Sequence, residues 1–137
     1  MKKTITGILL LLICALVPSM AFTEDETTVR LARTIYALAG QESYETKLAI
    51  GSVAVNRAED PWFPSSLSAV LAEQHQFPCG NRYDAESLRA AHDVISGGRT
   101  LPADVVYYHA VDATEPWSEA HLYAVSGGFG FYTRDEN

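Results

Sequence analysis

Two helix-like apolar patterns meet at a polar break early in the chain. Leu31, Ile35 and Leu38 fall at helical spacing, with Ala32 and Ala39 flanking them, so one face of a first helix is apolar. The acidic stretch Phe22 to Thr28 before it reads as a short disordered leader ending in Thr27 or Thr28 as N-cap. Gly40 is the expected stop. Ser43 then caps a second helix, with Glu45 in its first turn, where a negative charge favours the positive end of the helix dipole. Along this helix Tyr44, Leu48, Gly51 and Val55 form one stripe, and Ala49, Val53 and Asn56 form the next. The small residues allow a close helix crossing, and this helix is predicted to be the most buried. Asp60-Pro61 and Phe63-Pro64 end it, because the residue before a proline is pushed out of the helical region. Ser65 or Ser66 caps a short helix carrying Leu67, Val70 and Leu71, and a loop from His75 to Tyr83 follows. Asp84 caps a fourth helix whose inward residues are read as Leu88, Ala90, Ala91 and Ile95, with Gly97-Gly98 closing it.

The last third changes period. Val105-Val106-Tyr107-Tyr108, His121 to Val125 and Phe129 to Tyr132 are rich in β-branched and aromatic residues and read as three short strands. A long loop between the first two, Val111 to Glu119, carries Glu115, Pro116 and Trp117. The sum is an α+β domain, mainly helical, with a small antiparallel sheet in the C-terminal third.

The first residues belong to a different category. Lys2 and Lys3 precede an apolar run from Ile5 to Val17 and a Ser19-Met20-Ala21 site, the layout of a secretory signal peptide cut near Ala21. The run is shorter than the ~20 residues that span a bilayer, so membrane contact is expected only through this segment if it stays uncleaved. Cys14 within it lacks the small preceding residue of a lipidated cysteine. The division is thus 1–21 signal peptide, 22–28 acidic leader and 29–137 one domain, destined for export. Formal charge is −7 for the whole chain, and cleavage removes two lysines and no acid, making the remainder more acidic. Nucleic acid is therefore an unsuitable partner, since phosphate binding rests on Lys and Arg. After cleavage Cys79 has no partner for an intramolecular disulfide; between Pro78 and Gly80 it has a turn-like setting where the thiol could be half exposed, although a buried, inert thiol is the commoner case.

Several segments in order resemble the SleB-type cell wall hydrolase family, the catalytic domain of spore cortex-lytic enzymes. The opening run Leu31 to Arg57 resembles I-Y-[AG]-E-A-[RG]-G-E-x-Y-E-G and its continuation V-x-x-N-R. Trp62 to Leu67 with Val70-Leu71 resembles an F-P-x-[ST]-[IL] segment, and Gln76-Phe77 resembles a loop Q-F pair. Ala90-Ala91 with Gly97, Val106-Tyr107-Tyr108 and Phe131-Tyr132 match later family features. The resemblance implies a lysozyme-like helical domain that cleaves peptidoglycan glycan strands, by hydrolysis or transglycosylation, without a cofactor. Oligomeric state is left open. It also implies a carboxylic acid at the first helix junction, because the leaving oxygen must be protonated as an oxocarbenium-like state develops.

In this chain that position is Leu38, and leucine transfers no proton. Two readings follow. Either Glu42, which matches the family's second glutamate, takes over as the catalytic acid, or the apparatus is gone and a non-catalytic relative binds glycan or regulates an active hydrolase. Glu42 otherwise reads as an exposed acid beside a helix N-terminus. Glu73 is a weaker substitute, more simply a solvated helix end; Glu115 and Glu119 flank Trp117 on a loop that could line a sugar cleft, and an ordinary surface loop explains them equally well. Gln76, Tyr108 and Trp117 are the expected substrate-binding residues. Phe129 stands where the family often has a histidine. The apolar residues at Leu38 and Phe129 favour the relative, but family resemblance tips the expectation to a glycan-cleaving enzyme, with the non-catalytic relative as the alternative. His75, His92, His109 and His121 do not share a helix face, and His75 with Cys79 is one loose pair, short of the convergent ligands that zinc needs. No metal is expected. His109, at the end of the first strand, could point into a cleft, although a lone histidine is more often structural.

Overall fold

The computed structural model describes residues 25–73, 75–113 and 121–134. The signal segment, the start of the leader and Glu115, Trp117 and Glu119 lie outside the described residues. Four helices come first: α1 (Glu26–Ala39), α2 (Tyr44–Glu59), α3 (Leu67–Ala72) and α4 (Ala85–Ile95). Three strands follow: β1 (Val105–Ala110), β2 (Leu122–Ser126) and β3 (Phe129–Thr133). The α+β reading is correct.

Helix α1 starts earlier than Thr27 or Thr28 would place it, with Asp25 at the N-cap. Asp25 makes no side-chain cap to the backbone; instead Thr28 Oγ1 donates to its carboxylate at 3.4 Å. The other caps are those read from the sequence. Ser43 Oγ accepts from Thr46 N, Ser66 Oγ from Ala69 N and Asp84 Oδ1 from Ser87 N. The bonds from Ser87 hold the Asp84 carboxyl below its ordinary value. A carboxyl depressed in the fold stabilises it above the unfolded value and loses that contribution as pH falls through the folded one. Asp84→Ala is therefore expected to cost about 1 kcal/mol at neutral pH. Urea titrations should show the gap between variant and parent closing as pH drops below 3.8; a gap that persists in acid would remove the cap as its source.

Helix α2 is the buried axis. Ile50, Val53 and Ala54 are fully buried, and α1, α3, α4 and β1 all pack on it. Gly51 explains the close approach, since a Cβ there would lie 2.9 Å from Val94 Cγ2 and 3.3 Å from Ile35 Cδ1. In α4 the inward register differs by one residue at its end: Val94 is buried against Gly51 and Ile95 is 41% exposed. Turning Val94 inward satisfies the α2 groove, which leaves Ile95 on the solvent side.

The sheet has order β1-β3-β2, all antiparallel, and Phe131 of the central strand is fully buried. Strands β2 and β3 are joined at Gly127-Gly128, where Gly127 takes φ 55°. This hairpin tip is fastened to the α1–α2 corner. Thr46 Oγ1 and Ser126 Oγ are 2.7 Å apart, and Gly128 N donates to Glu42 Oε1 at 3.3 Å. A Cβ on Gly127 would sit 2.2 Å from Glu42 Oε2, so the turn has room for the carboxylate only because it lacks a side chain.

Candidate functional site

Beside that corner lies a half-open cavity of about 530 Å³. Leu38 comes to it from the last turn of α1, Arg57 from the last turn of α2, and His75 and Gln76 from the loop after α3. Tyr107, Tyr108, His109 and Ala110 of β1, with Phe129 of β3, form the opposite wall. Three of the residues named from the sequence, Leu38, Gln76 and Tyr108, are thus brought together. Glu42 is not among the lining residues; its carboxylate is held at the hairpin tip, next to Phe129 in sequence. Trp117 lies outside the described residues.

The wall is organised around Arg57. Its side chain is buried, Nε donates to the Val106 carbonyl at 2.7 Å, and NH1 donates to Gln76 Oε1 at 3.1 Å. The guanidinium lies 4.9 Å from the ring centroid of Phe63, 4.8 Å from Phe77 and 5.8 Å from Tyr107. Aromatic faces stabilise a cation that has lost water. Burial nevertheless lowers the Arg57 pKa, opposed by the fields of Tyr108, Glu73 and Tyr107. Arginine stays charged at neutral pH through such a shift. Burial likewise raises the pKa of Tyr108, keeping its hydroxyl protonated and able to donate to the Gln76 carbonyl at 2.7 Å. Phe77 stacks on Tyr108 with centroids 5.4 Å apart, and Tyr108 meets Phe129 edge-on at 6.1 Å.

Chemically, this is a cleft with apolar ring faces, a buried cation and amide and hydroxyl groups. Such a set suits a saccharide, which presents apolar faces to aromatics and polar edges to hydrogen-bonding groups. Among the described residues no group of three or more His, Cys, Asp or Glu could hold a metal ion. Cys79 is exposed, in an irregular segment whose neighbour Pro78 is exposed as well.

Sequence reading gave Arg57 no role. The available signal was its place as the last residue of the V-x-x-N-R continuation. His75 was read only as half of a loose pair with Cys79, yet it lines the cleft with φ 65°. His109 reaches the cleft from its strand end, where it could be placed but not assigned.

Residues 41–132 match the profile of the family described as Cell Wall Hydrolase. The chain is similar to the spore cortex-lytic enzyme of Bacillus subtilis (strain 168), with 32% identity over 93 residues, 64% of this chain and 30% of that protein. It is similar also to the spore cortex-lytic enzyme of Halalkalibacterium halodurans, with 29% identity over 99 residues, 68% of this chain and 30% of that protein. The chain thus spans less than a third of the length of these relatives. Its fold resembles the catalytic domain of the germination-specific lytic transglycosylase SleB from Bacillus anthracis, with TM-score 0.70 at 21% identity, covering 83% of this chain and 100% of that one. The catalytic domain of the Bacillus cereus SleB protein gives TM-score 0.70 at 22% identity, covering 82% and 94%.

Proposed function

Since the chain belongs to the Cell Wall Hydrolase family, we propose that its cleft takes the glycan strands of peptidoglycan and holds them without efficient cleavage. The observation that carries this reading is Leu38. It lines the cavity at the position where the resemblance implies a proton donor, and the described lining residues supply no carboxylate in its place. Gln76 and Tyr108 bind the saccharide, and Trp117 is assigned to the same task from its loop. The aromatic and amide lining that suits a sugar is retained, which favours binding over simple decay. Export is part of the same proposal: the basic, apolar and small-residue pattern of residues 1–21 would deliver the domain to the compartment where the glycan lies.

A second reading, cleavage with Glu42 as the acid, draws support from one contact. The Gly128 N–H fixes the Glu42 carboxylate beside the residue preceding Phe129, at the edge of the cleft. Glu42 is nevertheless not among the residues lining the cleft, which is why binding is preferred.

The purified chain lacking residues 1–21 is expected to sediment with insoluble peptidoglycan and to release no soluble muropeptides. Trp117→Ala should weaken retention severalfold, because stacking on a sugar face is lost. Release that disappears in Glu42→Gln would establish the enzymatic reading instead, and failure to sediment would remove both.

A further inference from the structure

A second cavity, of about 360 Å³, lies at the other end of the sheet from the cleft. Its described walls are Asp104, just before β1, His121, just before β2, and Thr133 and Arg134 at the end of β3. The antiparallel register brings these chain ends together, because Val105 pairs with Thr133 and Leu122 with Tyr132. Two bonds close the corner. Arg134 N donates to the Asp104 carbonyl at 3.0 Å, and Thr133 Oγ1 donates to the His121 carbonyl at 3.4 Å. The cavity is thus built by the sheet itself, and its described lining shares no residue with that of the cleft.

Its charges are held in place from behind. Asp60, at the C-cap of α2, is buried; its Oδ1 accepts from Trp62 N at 2.9 Å and its Oδ2 from Arg134 NH2. A buried carboxylate bonded on both oxygens fixes the guanidinium at the cavity wall and balances its charge. The Arg134 side chain is still partly exposed, and its Nε has no hydrogen-bond partner, so the guanidinium is not saturated. Asp104 is exposed, and among the described lining residues it is the only acid. A simple anion entering this cavity meets the Asp104 charge, and a simple cation meets the guanidinium. A group with both signs on neighbouring atoms suits both walls at once.

We infer that this cavity is a binding site for an α-ammonium carboxylate, the zwitterionic group of an amino acid, with Asp104 receiving the ammonium and Arg134 the carboxylate. Two sources present that chemistry: a free amino acid, or a diamino acid within a peptide attached to the glycan. The second source rests on the glycan-binding reading, and the spacing fits it. Tyr107, which lines the cleft, is three residues from Asp104. Extended chain rises about 3.3 Å per residue, so roughly 10 Å separates the two sites along β1, the reach of a peptide of about three or four residues. The loop after α2 touches both ends of that path, with Asp60 on Arg134 and Phe63 edge-on to Tyr107 at 6.1 Å.

Calorimetry on the purified protein at neutral pH tests the site with three small probes of similar length: meso-diaminopimelic acid, cadaverine, which lacks the carboxylates, and pimelic acid, which lacks the ammonium groups. The diamino acid is expected to bind about tenfold more tightly than either, the scale of one charge-assisted hydrogen bond. Asp104→Asn should remove that advantage; the position is exposed, so the variant is expected to fold. Arg134→Gln should do the same, but it strands the buried Asp60, so the Asp104 variant and the probes decide. Saturating glucosaminyl-muramic disaccharide should leave the affinity for diaminopimelic acid unchanged, and displacement would place that ligand in the cleft and overturn the second site. A disaccharide carrying a tripeptide that ends in diaminopimelic acid distinguishes the sources. Tighter binding than the bare disaccharide, lost in Asp104→Asn, assigns the site to the peptide; no gain, with the free amino acid still bound, assigns it to the free ligand. Equal affinity for the three small probes, or none for any, together with no gain from the peptide, overturns the proposal. If the protein fails to sediment with cell walls yet binds diaminopimelic acid selectively, the glycan-binding reading falls and the second site stands.

Discussion

Leu38→Glu is expected to turn retention into cleavage, releasing muropeptides about 100 to 10,000 times faster than the parent chain. That range corresponds to about 3 to 5 kcal/mol of barrier, the contribution of a positioned general acid. The new carboxyl would stand in the last turn of α1, in a wall whose other residues are already arranged. Two influences would set its proton affinity. Partial burial raises it toward the range where a glutamic acid holds its proton near neutrality, and Arg57 in the same cavity lowers it. The rate should accordingly fall as pH rises through the new group's pKa. Leu38→Gln has nearly the same shape and no transferable proton, so it should stay as inert as the parent. Because Leu38 also packs against the core, both variants are expected to lose some stability, and folding must be confirmed by thermal melting. A folded, wall-binding Leu38→Glu chain that releases nothing would show that more than the acid is missing.

What the sequence disclosed and what it withheld divide by the range of the interactions. The caps Ser43, Ser66 and Asp84 were legible because each bonds a backbone N–H three residues along. The strands were legible because β-branched and aromatic residues are dense in the last third. Ile95 was misplaced for a different reason: its neighbour Val94 fits over Gly51 on another helix, and no periodicity within α4 announces that partner. The cleft divides similarly. Leu38, Gln76 and Tyr108 were found through motif resemblance, whereas Arg57 becomes a cleft residue only when α2, the His75–Phe77 loop and β1 converge around it. The bond from Gly128 to Glu42 joins residues 86 positions apart, so the hairpin that holds this acid had no local signature.

Long-range dependence of the same kind makes Asn56→Leu the most destabilising change expected. Asn56 is 1% exposed, and its side-chain amide is bonded in both directions. Nδ2 donates to the Pro102 carbonyl at 2.8 Å and to the Val105 carbonyl at 3.0 Å, and Oδ1 accepts from Arg99 NH1 at 3.0 Å. Leucine fills similar space, so the substitution removes hydrogen bonds with little cavity; two carbonyls lose a donor and Arg99 keeps only Glu59. The Pro102 carbonyl keeps the Val105 N–H at 3.0 Å, so the cost comes from the buried Val105 carbonyl and the lost Arg99 bond; at roughly 1 to 3 kcal/mol for each such group, the expected loss is about 3 kcal/mol after relaxation. For a domain of this size that is roughly 10 to 20 °C in Tm. Asn56→Asp separates the two directions, because it keeps the acceptor for Arg99 and abolishes donation to Pro102 and Val105. If urea unfolding showed either variant within about 0.5 kcal/mol of the parent, as ordinary surface changes are, the amide would not be a structural fastening. The expected loss has a functional side, since the segment from Arg99 to Val105 leads directly into β1, the strand that carries Tyr107, Tyr108 and His109 to the cleft. Glycan retention should therefore weaken in Asn56→Leu at temperatures where the chain is still folded, even though the residue is not among those lining the cavity.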